Sequence, residues 1–200
     1  MDGHSLAHDS LVGLSVGDAM GARFQGSPTD LARLEFEPAA DQTLMWTDDT
    51  LMAASIVEVL NTAGTVDQDE LAGSFGRRFE ARRGYGLSMY ALLPKLRQGD
   101  DWRLLREAVF PGGSFGNGSA MRVGPLGAFF HDQALDRVIS EAGRSAEVTH
   151  SHPEALAGAI AVAVGAWLAS QDRGQPTRPL PELLSETRAS LDGSLEVSQG

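Results

Sequence analysis

The sequence predicts an all-α fold, and three observations carry that expectation. Apolar residues recur at helical spacing along most of the chain, no alternating run marks a strand, and the periodic stretches are bracketed by cap and stop residues. Residues 6–22 read as a first helix rich in small side chains. Gly13, Gly17 and Gly21 recur at every fourth position and leave one face nearly bare, which suits either close helix packing or backbone approach to a ligand. Residues 47–61 form the clearest helix. Leu51, Ile56, Val59 and Leu60 make its apolar stripe, Thr47 can cap its start, and residues 61–64 supply its stop. Asp67 caps the next helix, which sets Leu71, Phe75 and Phe79 on one face. Arg77, Arg78, Arg82 and Arg83 gather near its end, where cations suit the negative pole of the helix dipole, a structural placement. Shorter helices are expected over 87–97 and 102–109. Residues 111–118 are a glycine-rich loop, and helices resume over 120–130, 132–146 and 153–170. Beyond residue 171, Pro176, Pro179 and Pro181 punctuate the chain and leave 180–191 for one more helix. The 200 residues read as a single domain, long enough to bury a sizeable core.

Composition narrows the function classes. Sixteen Lys and Arg stand against 27 Asp and Glu, a net charge of −11. A chain this acidic repels phosphate backbones and anionic lipid, so neither nucleic acid nor a membrane is expected as a partner. It contains no cysteine, which removes disulfides, thiolate zinc sites and a Cys nucleophile and is compatible with a reducing cytoplasm. The first ten residues have neither a basic nor an apolar signal region, and 155–169 reads as too short and too rich in Ala and Gly to span a bilayer. The expected location is the cytoplasm.

Four stretches carry possible chemistry. The first is Trp46-Thr47-Asp48-Asp49-Thr50. Two acids in a first helical turn are favoured by the dipole, yet three consecutive oxygen-bearing side chains also make a compact site for Mg²⁺, Ca²⁺ or Mn²⁺. Their helix is expected to begin at a cavity, with both carboxylates turned into it near residues 116–119. The second is Gly112-Gly113-Ser114-Phe115-Gly116-Asn117-Gly118-Ser119-Ala120-Met121-Arg122, which is neither a Walker A loop nor a Rossmann fingerprint. It is a plain linker or a cradle for phosphate or ribose. The third is Thr149-His150-Ser151-His152-Pro153 at a helix start, lacking a third nitrogen or sulfur at zinc spacing. The fourth is Gly17-Asp18-Ala19-Met20-Gly21, whose acid must be hydrogen-bonded or paired if buried, as a structural group or as part of a site. His4 and His8 are assigned no role.

In this order, over 9–170, the four stretches resemble the ADP-ribosylglycohydrolase family. The resemblance implies an all-α orthogonal multi-helix bundle with a dinuclear Mg²⁺ or Mn²⁺ centre. Thr47, Asp48 and Asp49 match the N-terminal metal ligands of the family, with Asp48 and Asp49 catalytic. Gly116, Asn117, Gly118, Ser119 and Met121 match the segment that embraces ADP-ribose, with Asp18, Gln25, His150 and His152 near the ligand. The implied reaction is hydrolysis at the anomeric carbon of ribose in an ADP-ribosylated protein or a small ADP-ribose derivative.

Two departures qualify that resemblance. The family carries a Glu eight residues after the first Gly of the Gly-Asp-Ala segment, and here Gln25 stands there, an amide that cannot act as a base. Glu35 and Glu37 lie nearby in sequence. The family also draws metal ligands from a C-terminal Asp-x-Asp-Thr segment that this sequence lacks. The acids of Asp67-Gln68-Asp69 have its spacing but sit at an ordinary helix start. A form truncated at its C-terminus is expected, and with it self-association through the Ile160, Val164 and Trp167 stripe. The alternative function is an ADP-ribose-binding module without turnover.

Overall fold

Short polar side chains start four of the helices described below, and left-handed glycines stop two of them. A computed structural model describes residues 2–24, 43–172, 174–175 and 178–197, with side chains described as far as residue 191. Among the described residues all regular structure is helical. The helices are α1 (Gly3–Gly21), α2 (Asp48–Ala63), α3 (Gln68–Arg78), α4 (Met89–Gln98), α5 (Trp102–Val109), α6 (Gly124–Phe129), α7 (Leu135–Glu147), α8 (Pro153–Gln171) and α9 (Leu180–Val197). Short 3-10 turns lie at Ala22–Phe24, Ala81–Arg83 and Asn117–Ser119. Asp2, Thr47, Asp67 and Asp101 accept backbone N–H groups at the starts of α1, α2, α3 and α5, satisfying donors that a first turn leaves free. Gly64 and Gly99 close α2 and α4 in the left-handed region.

The boundaries differ from the sequence reading where caps and proline decide them. Asp2 starts α1 three residues early, and His4 Nδ1 meets Asn61 Oδ1 at 2.7 Å, tying that end to α2. The helix expected over 120–130 begins only at Gly124, because Pro125 in the first turn suits a start and not an interior. At 19 residues α8 is long and apolar enough by length and composition to cross a bilayer, against the expectation that its stretch is too short. It packs on α6, α7 and α9 and buries Ala155, Ala159, Ala163, Val164 and Leu168 there.

The core runs through the middle of the bundle. Met52, Ile56, Val59 and Leu60 of α2 pack with Leu71 and Phe75 of α3, Leu92 and Leu93 of α4, Val123 and Leu126 around α6, and Val138 and Ala142 of α7. Each fully buried large side chain stabilises the fold by about 1.5–3 kcal/mol. Where α6 crosses α8 the backbones touch: a Cβ on Gly127 would lie 2.0 Å from the Ala163 carbonyl oxygen. Glu141, almost fully buried on α7, accepts from Thr65 Oγ1 (2.7 Å) and Val66 N (2.6 Å) and pairs with Arg137 (2.9 Å). It therefore fastens α7 to the turn between α2 and α3. The Gly13, Gly17 and Gly21 face of α1 meets no described neighbour within 4 Å. On α8, Val164 is buried while Ile160 and Trp167 are half-buried.

Candidate functional site

Asp18, in the last turn of α1, is where α1 grips α2. Thr47 donates to it from N (2.7 Å) and Oγ1 (2.6 Å), and Thr50 from Oγ1 (2.6 Å) and N (3.3 Å). Four donors on one carboxylate make it an external cap for α2, with its charge at the positive end of that dipole. Behind Thr47, the buried Arg83 stacks on Trp46 at 3.5 Å, donates to the Trp46 carbonyl (3.0 Å) and pairs with Glu80 (3.0 Å). Arg83 thus holds the segment that leads into α2, a structural role. Asp67 and Asp69 are structural too. Asp67 caps α3, and Asp69 accepts from Trp102 Nε1 and Arg103.

The two acids that open α2 diverge. Asp48, 9% exposed, lines a cavity of about 200 Å³ with Ser114, Gly116, Asn117, Gly118, Met121 and His150. Asp49, half-buried, lines a separate cleft of about 360 Å³ with Leu14, Gly17, Asp18 and Gly21. The expectation of both carboxylates in one cavity is corrected by the roughly 100° between successive helical side chains. Burial, reinforced by the charges of Asp49 and Asp18, raises the Asp48 carboxyl to about 6. Burial and the charge of Asp18 raise Asp49 as well. Burial and the neighbouring Asp48 charge push the Tyr85 phenol up, so Tyr85 keeps its proton.

Opposite Asp48, the loop between α5 and α6 lies on the junction of α7 and α8. A Cβ at Gly118 would stand 2.7 Å from His150 Cε1 and 2.9 Å from Nε2, so only glycine lets the loop rest on the imidazole ring. His150 is 5% exposed, and burial together with the charge of Arg122 lowers it to about 3, so it is neutral at physiological pH. Its Nδ1 lies 2.7 Å from Thr149 Oγ1, which in turn accepts from Arg122 Nη2 at 3.0 Å. Arg122 is fully buried. It ends on Ser145 O (2.9 Å), Thr149 Oγ1, Met52 Sδ (3.8 Å) and the Phe75 ring (4.5 Å), all neutral.

The other residues expected at the site divide. Gly116, Asn117, Gly118 and Met121 line the Asp48 cavity. Ser119 is fully buried and donates to the Ala155 carbonyl (3.1 Å), bracing the loop against α8. His152 caps α8 through Glu154 N (3.2 Å) and stands edge-on to the exposed Phe115 ring. Gln25, like Glu35 and Glu37, lies outside the described residues. Sequence reasoning gave no role to Met52, Gly86, Ser88, Met89 and Phe110, which complete the cavity wall. A core methionine or a loop serine has no spacing that announces it. Larger clefts of about 590 and 540 Å³ open beside α1 but contain none of the four stretches, so volume alone does not locate the chemistry.

Thr47, Asp48 and Asp49 offer only oxygen atoms, and two of the groups are carboxylates raised by burial and by neighbouring acidic charge. That is a donor set suited to a hard divalent cation. Among the described residues no three Asp, Glu or His side chains converge as a ligand cluster.

Comparison with known proteins identifies the family. The family described as ADP-ribosylglycohydrolase matches residues 2–200. ADP-ribosylhydrolase ARH3 of Danio rerio is 34% identical over 191 residues, covering 88% of this chain and 51% of that protein. ADP-ribosylhydrolase ARH3 of Gallus gallus is 34% identical over 196 residues, covering 88% and 53%. ADP-ribosylarginine hydrolase Tri1 of Serratia proteamaculans is 28% identical over 167 residues, covering 76% and 43%. The chain spans about half the length of the curated relatives it matches. With the match running over nearly every residue, and Asp48 of α2 facing the glycine loop and His150, this chain belongs to the ADP-ribosylglycohydrolase family.

Proposed function

We propose that the cavity between Asp48 and the 114–118 loop holds the ribose of an ADP-ribosylated protein or small ADP-ribose derivative, and that the chain serves hydrolysis at its anomeric carbon. In that reaction a water oxygen bonds to the anomeric carbon, the bond to the departing nitrogen or oxygen breaks, and the leaving group gains a proton. One observation carries the reading: a carboxylate near neutrality, glycine backbone and a neutral imidazole line the same small cavity. An acid at about 6 is mostly ionised at pH 7 yet basic enough to take a proton from water. At about 200 Å³ the cavity is smaller than the 300–1,000 Å³ typical for a drug-sized ligand, so it encloses the ribose end and leaves the rest on the surface. Thr47, Asp48 and Asp49 would hold Mg²⁺ or Mn²⁺, which when bound supplies positive charge to orient ribose hydroxyls and acidify water.

A second reading, an ADP-ribose-binding module without turnover, is favoured by Gln25, which stands where the resembling family carries an acid. Two measurements on the purified chain separate the readings: release of ADP-ribose from arginine- and serine-linked peptides with Mg²⁺, Mn²⁺ or chelator, and calorimetric titration with ADP-ribose. Release that stops in Asp48→Ala supports hydrolysis, and binding without release supports the module. Neither binding nor release would overturn both.

A further inference from the structure

Arg122 is a buried cation with no carboxylate beside it among the described residues, an arrangement that costs several kcal/mol and leaves its Nε without a partner, so the hydrogen bonds its terminal nitrogens make matter. What it does with two of them is specific. Nη2 donates one hydrogen to Ser145 O at 2.9 Å and the other to Thr149 Oγ1 at 3.0 Å. Ser145 is four residues before Thr149, which stands in the turn just past the end of α7, and a threonine hydroxyl can fold back onto such a carbonyl. Arg122 occupies that carbonyl and also points a hydrogen at Oγ1. Among the described residues, the one acceptor that meets hydrogen-bond geometry with the Thr149 hydroxyl is His150 Nδ1 at 2.7 Å. A ring nitrogen that accepts carries no proton, so in the neutral imidazole the proton sits on Nε2. Nε2 lies on the side of the ring against Gly116 and Gly118, in the wall of the Asp48 cavity.

We propose that Arg122 and Thr149 are positioning residues that fix His150 as its Nε2–H tautomer, making it a permanent hydrogen-bond donor to the cavity. The consequence, which rests on the proposed reading of the cavity as the ligand site, is that His150 only donates. His150 cannot take a proton from a ligand, because its lone pair is spent on Thr149. It instead meets an acceptor oxygen, of a hydroxyl, carbonyl or phosphate.

The test is long-range ¹H–¹⁵N correlation spectroscopy of the histidine rings in the uniformly labelled 200-residue chain, with His150 assigned by its loss in His150→Gln. The expected wild-type result is a pyridine-type Nδ1 and a pyrrole-type Nε2. In Thr149→Val, which removes the hydroxyl and keeps the shape, Nδ1–H should appear, while Thr149→Ser should restore the wild-type pattern. In Arg122→Met, Ser145 O becomes free for the Thr149 hydroxyl, and Nδ1–H should again appear. Wild-type His150 carrying its proton on Nδ1 overturns the proposal even if no variant folds. An unchanged pattern in folded Arg122→Met removes Arg122 from the relay and overturns it equally. Titration with ADP-ribose is the separate arm. The affinity of Thr149→Val should fall about fivefold, the scale of one hydrogen bond. Absence of ADP-ribose binding by wild type, with the tautomer as stated, leaves the relay standing and removes only the reading of the ligand.

Discussion

Asp48 and Asp49 at the start of α2, and Arg122 buried behind the His150 wall of the Asp48 cavity, are charges drawn out of water, but the protein treats them in opposite ways. Burial and neighbouring charge make both acids harder to ionise: Asp49 and Asp18 act on Asp48, which rises to about 6, and Asp18 acts on Asp49. Arg122 is buried more deeply, yet one carbonyl, one hydroxyl, a sulfur and an aromatic face receive it, no like charge opposes it, and only its Nε is left without a partner. One wall is arranged to gain from an added cation. The other already uses both terminal nitrogens of its guanidinium within the fold. The difference teaches that burial of a charge does not by itself mark a functional group. What marks it is burial with the like-charge repulsion left in place.

Four substitutions or additions break or sharpen that contrast. The largest effect belongs to the satisfied wall. Arg122→Ala leaves a cavity among Met52 and Phe75 and orphans Ser145 O, so thermal or urea unfolding should show a loss of about 3–5 kcal/mol. Stability equal to wild type would mean that Arg122 is not the keystone of its wall. Next comes the acidic wall. A divalent ion at a hundredfold excess over its Kd should add about 2.7 kcal/mol. Scanning calorimetry with Mg²⁺ or Mn²⁺ should show that gain in wild type and lose it in Asp48→Ala and Asp49→Ala, whose metal-free folds stay intact. A gain of the same size in either variant would remove that residue from the metal site.

Asp18→Ala tests the joint between the walls and the fold. It strips four donors of their acceptor at the start of α2 and should cost about 2 kcal/mol, the upper range for a helix cap. A stabilised variant would show that repulsion from Asp49 outweighs the cap. The smallest effect has the opposite sign. Asp48 has a folded value near 6 against an ordinary 3.8, so the folded state holds its proton more tightly. Stability from this group is fully present below 3.8 and is lost as pH rises through 6. Metal-free protein should therefore weaken between pH 4 and 7. Asp48→Asn should flatten that slope and gain about 1 kcal/mol at pH 7 after solvent screening. A slope unchanged in Asp48→Asn would move its source to another acid.

Much of the fold was legible in the chain because its signals are local. Thr47, Asp67 and Asp101 cap helices through side chains that reach only two or three residues ahead, and Gly64 stops α2 through its own backbone. The Trp102–Val109 helix falls on the expected residues for the same reason. The start of α6 was missed because the apolar pattern of 120–130 continues through Pro125, and a covalent ring, not periodicity, sets that boundary.

The sequence by itself determined the helical class, the caps and the presence of two adjacent acids, since each follows from neighbours along the chain. It could not say which way those acids face. Tertiary structure alone decided that Asp48 joins the 114–118 loop while Asp49 joins Asp18. It also decided that His150, and not His152, enters the cavity, and that Arg122 reaches Thr149 across 27 positions. The physical reason is range. A cap or a turn is closed by atoms a few bonds away, whereas a desolvated carboxylate, a fixed tautomer or a buried guanidinium is defined by what separate helices bring to it from every side.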